Sequence, residues 1–220
     1  MRKGFFTLVS FILILLLLGC NKSNEESFEL KVGDLLFAVG TEGSDFTSAI
    51  QNSTSDYQEV PYSHVGIVSI ENNEVMVIEA TPKGGVVISK LDDFFSNAAS
   101  VNNDRYIAVG RLTPDLQYTI TDAIISAKQN LGKEYDFLYD ESNDSFYCSE
   151  LVRFSFIDSM GNYIFKPLSM SFKNKETGQA EPFWISHFNN YGLPVPEGEP
   201  GSNPTDMAKS SQLEIVHSYF

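Results

Sequence analysis

The sequence predicts an α+β fold, a small antiparallel sheet packed against a helix that carries a cysteine. Three observations predict it. Short strand-like runs bounded by turn residues fill residues 28–112. Two of these runs flank Asn72-Asn73 and read as a hairpin. Helix-period patterns come afterwards, over 119–131 and from Cys148 onward. Strands first and helices later is the order of an α+β domain rather than an alternating one.

Residues 1–20 read as lying outside the fold. Arg2 and Lys3 precede an apolar run, Phe5 to Leu18, that is too short for a comfortable membrane span. The run ends in Leu17-Leu18-Gly19-Cys20, which resembles a bacterial lipobox. That resemblance implies a lipoprotein signal peptide, lipidation of Cys20, and an exported protein anchored to the cell envelope, periplasmic or surface-facing. Residues 21–27 then read as a polar tether and 28–220 as one domain, with an irregular proline-rich tail from about residue 166.

The net charge is −14 over the full chain. Without residues 1–20 the balance is 13 basic against 29 acidic residues. A chain this acidic lacks the basic footprint that nucleic acid requires, and membrane contact is expected through the anchor on Cys20 rather than through charge.

Val32 to Val39 reads as a turn followed by a buried strand, and 48–55 as a short helix or a loop. Ser63 to Ile70 and Glu74 to Ala80 are the arms of the hairpin, with His64, Gly66 and Val68 on one face and Val65 and Ile67 on the other. Pro82, Gly84 and Gly85 make the next turn, before a strand at Val86 to Ile88. Leu91 to Phe95 reads as a helical turn capped by Ser89, and Asp104 to Leu112 as a fifth strand. Ile120, Ala123, Ile124, Ala127 and Leu131 line one face of a helix, with Thr119 and Asp122 as a capping box and Gly132 as the stop. Cys148, Leu151, Val152, Ser155 and Phe156 line one face of the next, which Gly161 should end. In the tail, Gln212 to Val216 reads as a last strand.

Cys148 is the one cysteine besides Cys20. An unpaired cysteine in an exported protein is a candidate reactive thiol, although most free cysteines are small buried hydrophobes. Here it opens a helix, where unpaired N–H groups and the helix dipole favour negative charge. Glu79 is a carboxylate at the end of an otherwise apolar strand, and it is about as far from the hairpin turn as His64 is. Lateral pairing therefore brings imidazole and carboxylate together. Cys148, His64 and Glu79 form a nucleophile–base–carboxylate set. Tyr147 and Tyr62 are candidate auxiliary substrate contacts. The histidines show no His-Glu-x-x-His spacing and the cysteines no Cys-x-x-Cys pairs, so neither metal nor cofactor is expected.

Asp34-Leu35-Leu36-Phe37, Ser63-His64-Val65-Gly66-Ile67, Ile78-Glu79-Ala80 and Tyr147-Cys148-Ser149-Glu150-Leu151-Val152 together resemble the permuted NlpC/P60 group of papain-like cysteine peptidases, of the YiiX/YebB type. The resemblance covers about residues 28–165. It implies a circularly permuted papain-like fold with Cys148 as nucleophile, His64 as base and Glu79 orienting His64. The implied activity is that of a cell-envelope amidohydrolase or peptidase acting on cell-wall peptides. An acyltransferase or esterase acting on lipid-linked amides uses the same chemistry. A lipoprotein that only binds a ligand in its cleft is the alternative outside enzymology.

Overall fold

The computed structural model describes residues 28–40, 45–58, 60–101 and 104–220. The expected signal peptide, Cys20 and the expected tether fall outside them. In chain order come β1 (Leu35–Ala38), α1 (Asp45–Ser53), β2 (His64–Glu71), β3 (Glu74–Thr81), β4 (Gly85–Lys90) and α2 (Leu91–Ser96). Next are β5 (Ser100–Val101), β6 (Asp104–Arg105), β7 (Ile107–Leu112), α3 (Ile120–Gln129) and α4 (Cys148–Ser155). The last part holds β8 (Leu168–Ser169), α5 (Pro182–Asn190), β9 (Pro200–Gly201), α6 (Pro204–Ala208) and β10 (Leu213–Ser218).

Six strands form one antiparallel sheet in the order β10-β7-β1-β2-β3-β4. Both faces are covered, which is why β2 is buried as a continuous run from Val65 to Ser69. Val65, Ile67, Ile78 and Ala80 face Leu151 and Val152 of α4 and Ala123 and Ala127 of α3. Leu36, Val68, Val77 and Val109 face Phe94 of α2. Asn72 and Asn73 both take positive φ, 51° and 69°, as a two-residue turn matched to strand twist demands. Among the described residues no helix is long and apolar enough to cross a membrane.

Several elements differ from expectation. The run from Asp104 splits, with β6 pairing to β5 and β7 joining the main sheet. Thr119 closes a single 3-10 turn and donates its hydroxyl to the Leu116 carbonyl at 2.7 Å, so it does not cap α3 with Asp122. Helix α4 stops at Ser155 instead of continuing to Gly161. Phe156 turns extended because its carbonyl accepts the N–H of Ile164, beside a bridge from Ile157 to Tyr163. Ser89 belongs to β4 and does not cap α2, whose N-cap is Lys90. The proline-rich region contains two helices, each opened by a proline at its first position, Pro182 and Pro204. Proline is favourable there because its missing N–H would be unpaired anyway.

Candidate active site

His64 is the first residue of β2 and lies opposite Ala38 of β1, at the end of the sheet. The β2–β3 register pairs Ile67 with Ile78 and Val68 with Val77. Extending that register sets Gly66 against Glu79, so His64 meets Glu79 diagonally across Gly66. A Cβ on Gly66 would come within 2.4 Å of Val77 Cγ1 and 3.4 Å of Glu79 Cβ. The glycine lets Val77, Phe94 and the stem of Glu79 close in beside His64. His64 Nε2–H donates to Glu79 Oε2 at 2.5 Å. Their side chains are 24% and 5% exposed. On its other side Glu79 pairs with β4, where Ser89 hydrogen-bonds its carboxylate. Glu79 therefore pairs with His64 and Ser89.

Cys148 occupies the first turn of α4, which Leu151 and Val152 seat against the sheet. The N–H of Tyr147 donates to the Glu150 carboxylate at 3.2 Å and fixes the entry into the helix. Burial raises the Glu150 pKa from 4.5 to about 8. Cys148 is a buried free cysteine that hydrogen-bonds His64. Carboxylate, imidazole and sulfur thus form one connected series. Burial alone would lower the His64 pKa. Hydrogen bonds to Cys148 and then to Glu79, with the charge of both, override burial and raise it from 6.5 to about 10. Burial pushes Glu79 upward, but the hydrogen bond and charge of His64, helped by Ser89, hold it below the ordinary carboxylate value.

Two cavities flank this series. One, of about 260 Å³, is lined by Cys148, Ile50, Tyr135, Tyr139, Phe172 and Trp184, among others. The other, of about 660 Å³, is lined by His64, Glu79, Ser89, Lys83, Phe183 and His187, among others. The region after residue 166 builds much of the first wall and adds Phe183 and His187 to the second. Ser202 ties it to the cysteine helix: its N–H donates to the Tyr147 hydroxyl at 3.0 Å and its hydroxyl bonds that of Ser149 at 3.1 Å.

The two tyrosines read as substrate contacts take different positions. The Tyr147 ring lines the smaller cavity, but its hydroxyl is held by Ser202. Tyr62 packs against Phe37 in the core, lines neither cavity, and burial pushes its pKa up to about 12. Ser89, Tyr139, Trp184 and Ser202 escaped the sequence reading. Only Trp184 carries a signal in the sequence, as the middle of the apolar run Phe183-Trp184-Ile185.

Residues 29–217 match the family described as permuted papain-like amidase enzyme, YaeF/YiiX, C92. The uncharacterized protein YiiX of Escherichia coli K12 is 26% identical over 194 residues, which is 86% of this chain and 87% of that protein. A crystal structure described as metalloprotein yiiX from Escherichia coli O157:H7 superposes with a TM-score of 0.68 at 24% identity. The superposition covers 87% of this chain and 98% of that one. With the family match spanning most of its length, this chain belongs to the permuted papain-like amidase family, YaeF/YiiX, C92.

Proposed function

We propose that this protein is a cysteine hydrolase that cleaves an amide by way of a thioester on Cys148. The observation that carries the reading is the connected series Glu79–His64–Cys148, set at a helix start between two cavities. Family membership supports the reaction class. In the resting state His64 is an imidazolium paired with the Cys148 thiolate. The thiolate attacks the carbonyl carbon. The oxyanion is held by the N–H of Cys148, one of the helix-start groups without an intrahelical partner. As the C–N bond breaks, His64 gives its proton to the departing amine. Neutral His64 then takes a proton from water. The resulting hydroxide opens the thioester, releases the acid and restores the ion pair. Glu79 keeps the imidazole oriented and its positive charge favoured.

The acyl group bonded to sulfur belongs in the cavity that Cys148 lines, and the departing amine in the cavity that His64 lines. The smaller cavity, about 260 Å³, is below the roughly 300–1,000 Å³ of drug-sized sites. That size supports a short acyl group such as a peptide unit over a long lipid chain, and cell-wall peptides are the proposed substrate. Its aromatic lining keeps acyl amides of lipids as the second reading. Envelope anchoring through Cys20 remains part of the proposal, tested by incorporation of labelled fatty acid and its loss in Cys20→Ala. The crystallised Escherichia coli relative is described as a metalloprotein. The residues here do not fit that description, because among the described ones no three His, Cys, Asp or Glu side chains form a group able to hold a metal ion.

The test is alkylation of Cys148 by iodoacetamide between pH 5 and 9, in the wild type, His64→Ala and Glu79→Gln. An ordinary thiol titrates near 8.5. Rapid labelling at pH 6 that slows at least tenfold in His64→Ala is the expected result. Labelling that tracks an ordinary thiol in all three proteins would sink the hydrolase reading. It would leave ligand binding as the role of the cleft.

A further inference from the structure

We propose that Tyr139 is a specificity-determining hydrogen-bond donor in the acyl-side cavity, reading a carbonyl or hydroxyl oxygen carried by the acyl portion of the substrate. The assignment of that cavity to the acyl group rests on the hydrolase reading above. Tyr139 makes the cavity select peptide-like acyl groups over plain hydrocarbon ones.

Two disfavoured features meet at this residue. Its backbone is left-handed, φ 55°. A side-chain-bearing residue rarely adopts that conformation, because its Cβ crowds the following carbonyl oxygen. Its hydroxyl oxygen is buried, and the Tyr135 hydroxyl beside it makes a contact that falls short of a well-formed hydrogen bond. A buried hydroxyl whose proton has no good acceptor is disfavoured. Strain of this kind persists only where the surroundings over-determine it. They do so here. Buried Asp136 accepts the N–H of Leu138 at 2.8 Å and of Asp140 at 2.7 Å, so it pins both neighbours of Tyr139. His187 Nε2 bonds the Phe137 carbonyl at 2.7 Å from the other side. The ring is held among Tyr147, Trp184 and Phe172, with centroids 5.0, 5.5 and 5.9 Å away.

The ring lines the cavity that Cys148 lines, and the sulfur is near enough for its charge to act on the phenol. Burial keeps the Tyr139 pKa well above 10, so the group remains a neutral donor. The Tyr135 hydroxyl is near enough to hydrogen-bond the Tyr139 oxygen, which leaves the Tyr139 proton to be donated, whereas the Tyr147 hydroxyl is committed to Ser202. Water does not reach the Tyr139 oxygen in the free protein. A ligand oxygen that parts the rings therefore meets no solvent competing for the bond, and in a dry wall such a bond is strengthened.

The test compares two esters with the same leaving group, p-nitrophenyl N-acetylglycinate and p-nitrophenyl butyrate. The first carries an amide oxygen on its acyl part; the second does not. Rates in Cys148→Ser are subtracted. Tyr139→Phe keeps the ring and removes only the oxygen. The expected result is a 3–10-fold drop in the ratio of kcat/KM, acetylglycyl over butyryl, matching one neutral hydrogen bond. A ratio unchanged within twofold overturns the proposal. So does an equal fall for both esters, which marks a structural role.

Binding gives an arm that does not depend on turnover. Trp184, the one tryptophan, reports by fluorescence on N-acetylglycinamide added to Cys148→Ser. Introducing Tyr139→Phe into that protein should weaken binding 3–10-fold, and equal affinities overturn the assignment. If neither ester reacts through Cys148, the hydrolase reading fails while this arm still judges Tyr139.

Discussion

Glu79 is a buried carboxylate in an apolar strand, and its charge and that of His64 support each other. The His64 pKa is raised to about 10. Its contribution to stability is therefore complete below about 6.5, its unfolded value, and is lost as pH climbs through about 10. Glu79 is depressed. Its contribution is present above its ordinary value and disappears as pH falls through the folded one. Between those limits both are ionised. Turnover needs the His64 proton for the departing amine, so kcat/KM should decline through about pH 10. Alkylation needs only the thiolate and should continue past that point. In Glu79→Gln the imidazolium loses its carboxylate, and the alkaline limb should move down by roughly one unit or more. A pH–rate profile measures this, and a limb that stays put would remove Glu79 from its role.

The β2–β3 hairpin delivers His64 to Glu79, and Gly66 lets Val77 and Phe94 pack closely beside the pair. Gly66→Ala forces a methyl against Val77. Overpacking of this kind costs about 1–3 kcal/mol. Denaturant titration should show that loss, and iodoacetamide labelling at pH 6 should slow with it. A variant as stable and as reactive as wild type would contradict the packing argument. The hairpin could be read from the chain because two asparagines set the turn and alternation sets the faces. The start of α4 was legible from its polar approach and apolar spacing. Its end was not, because the helical pattern runs on through Phe156 while a tertiary pairing with Ile164 pulls that residue straight. Ser89 was misread because a serine between strand and helix looks like a cap, and only the β3–β4 register turns it toward Glu79. Tyr139 left no trace, since tyrosine seldom adopts a left-handed backbone.

Across the whole molecule, Asp34 and Arg111 join β1 to β7 through a two-pronged ion pair of 2.7 and 2.8 Å. Asp34 also accepts the N–H of Lys31 at 2.8 Å. Asp34 stood in a string that carried the family resemblance, and its contacts are structural. Removing one partner of a buried pair costs about 3–5 kcal/mol. Asp34→Ala should lose that much in guanidinium unfolding, and a loss under 1 kcal/mol would show the pair to be solvated. The proline-rich region was the least legible part, because prolines that open helices look like prolines that break them.

That region has a temporal meaning. The chain leaves the ribosome N-terminus first, and His64, Glu79 and Cys148 all precede the residues that close the smaller cavity. Ser202, which braces both neighbours of Cys148, follows the cysteine by more than fifty positions. At roughly 5–20 residues per second of synthesis, the nucleophile exists for some seconds before its cavity is walled. During biosynthesis the thiol is present while its acyl pocket is still unfinished.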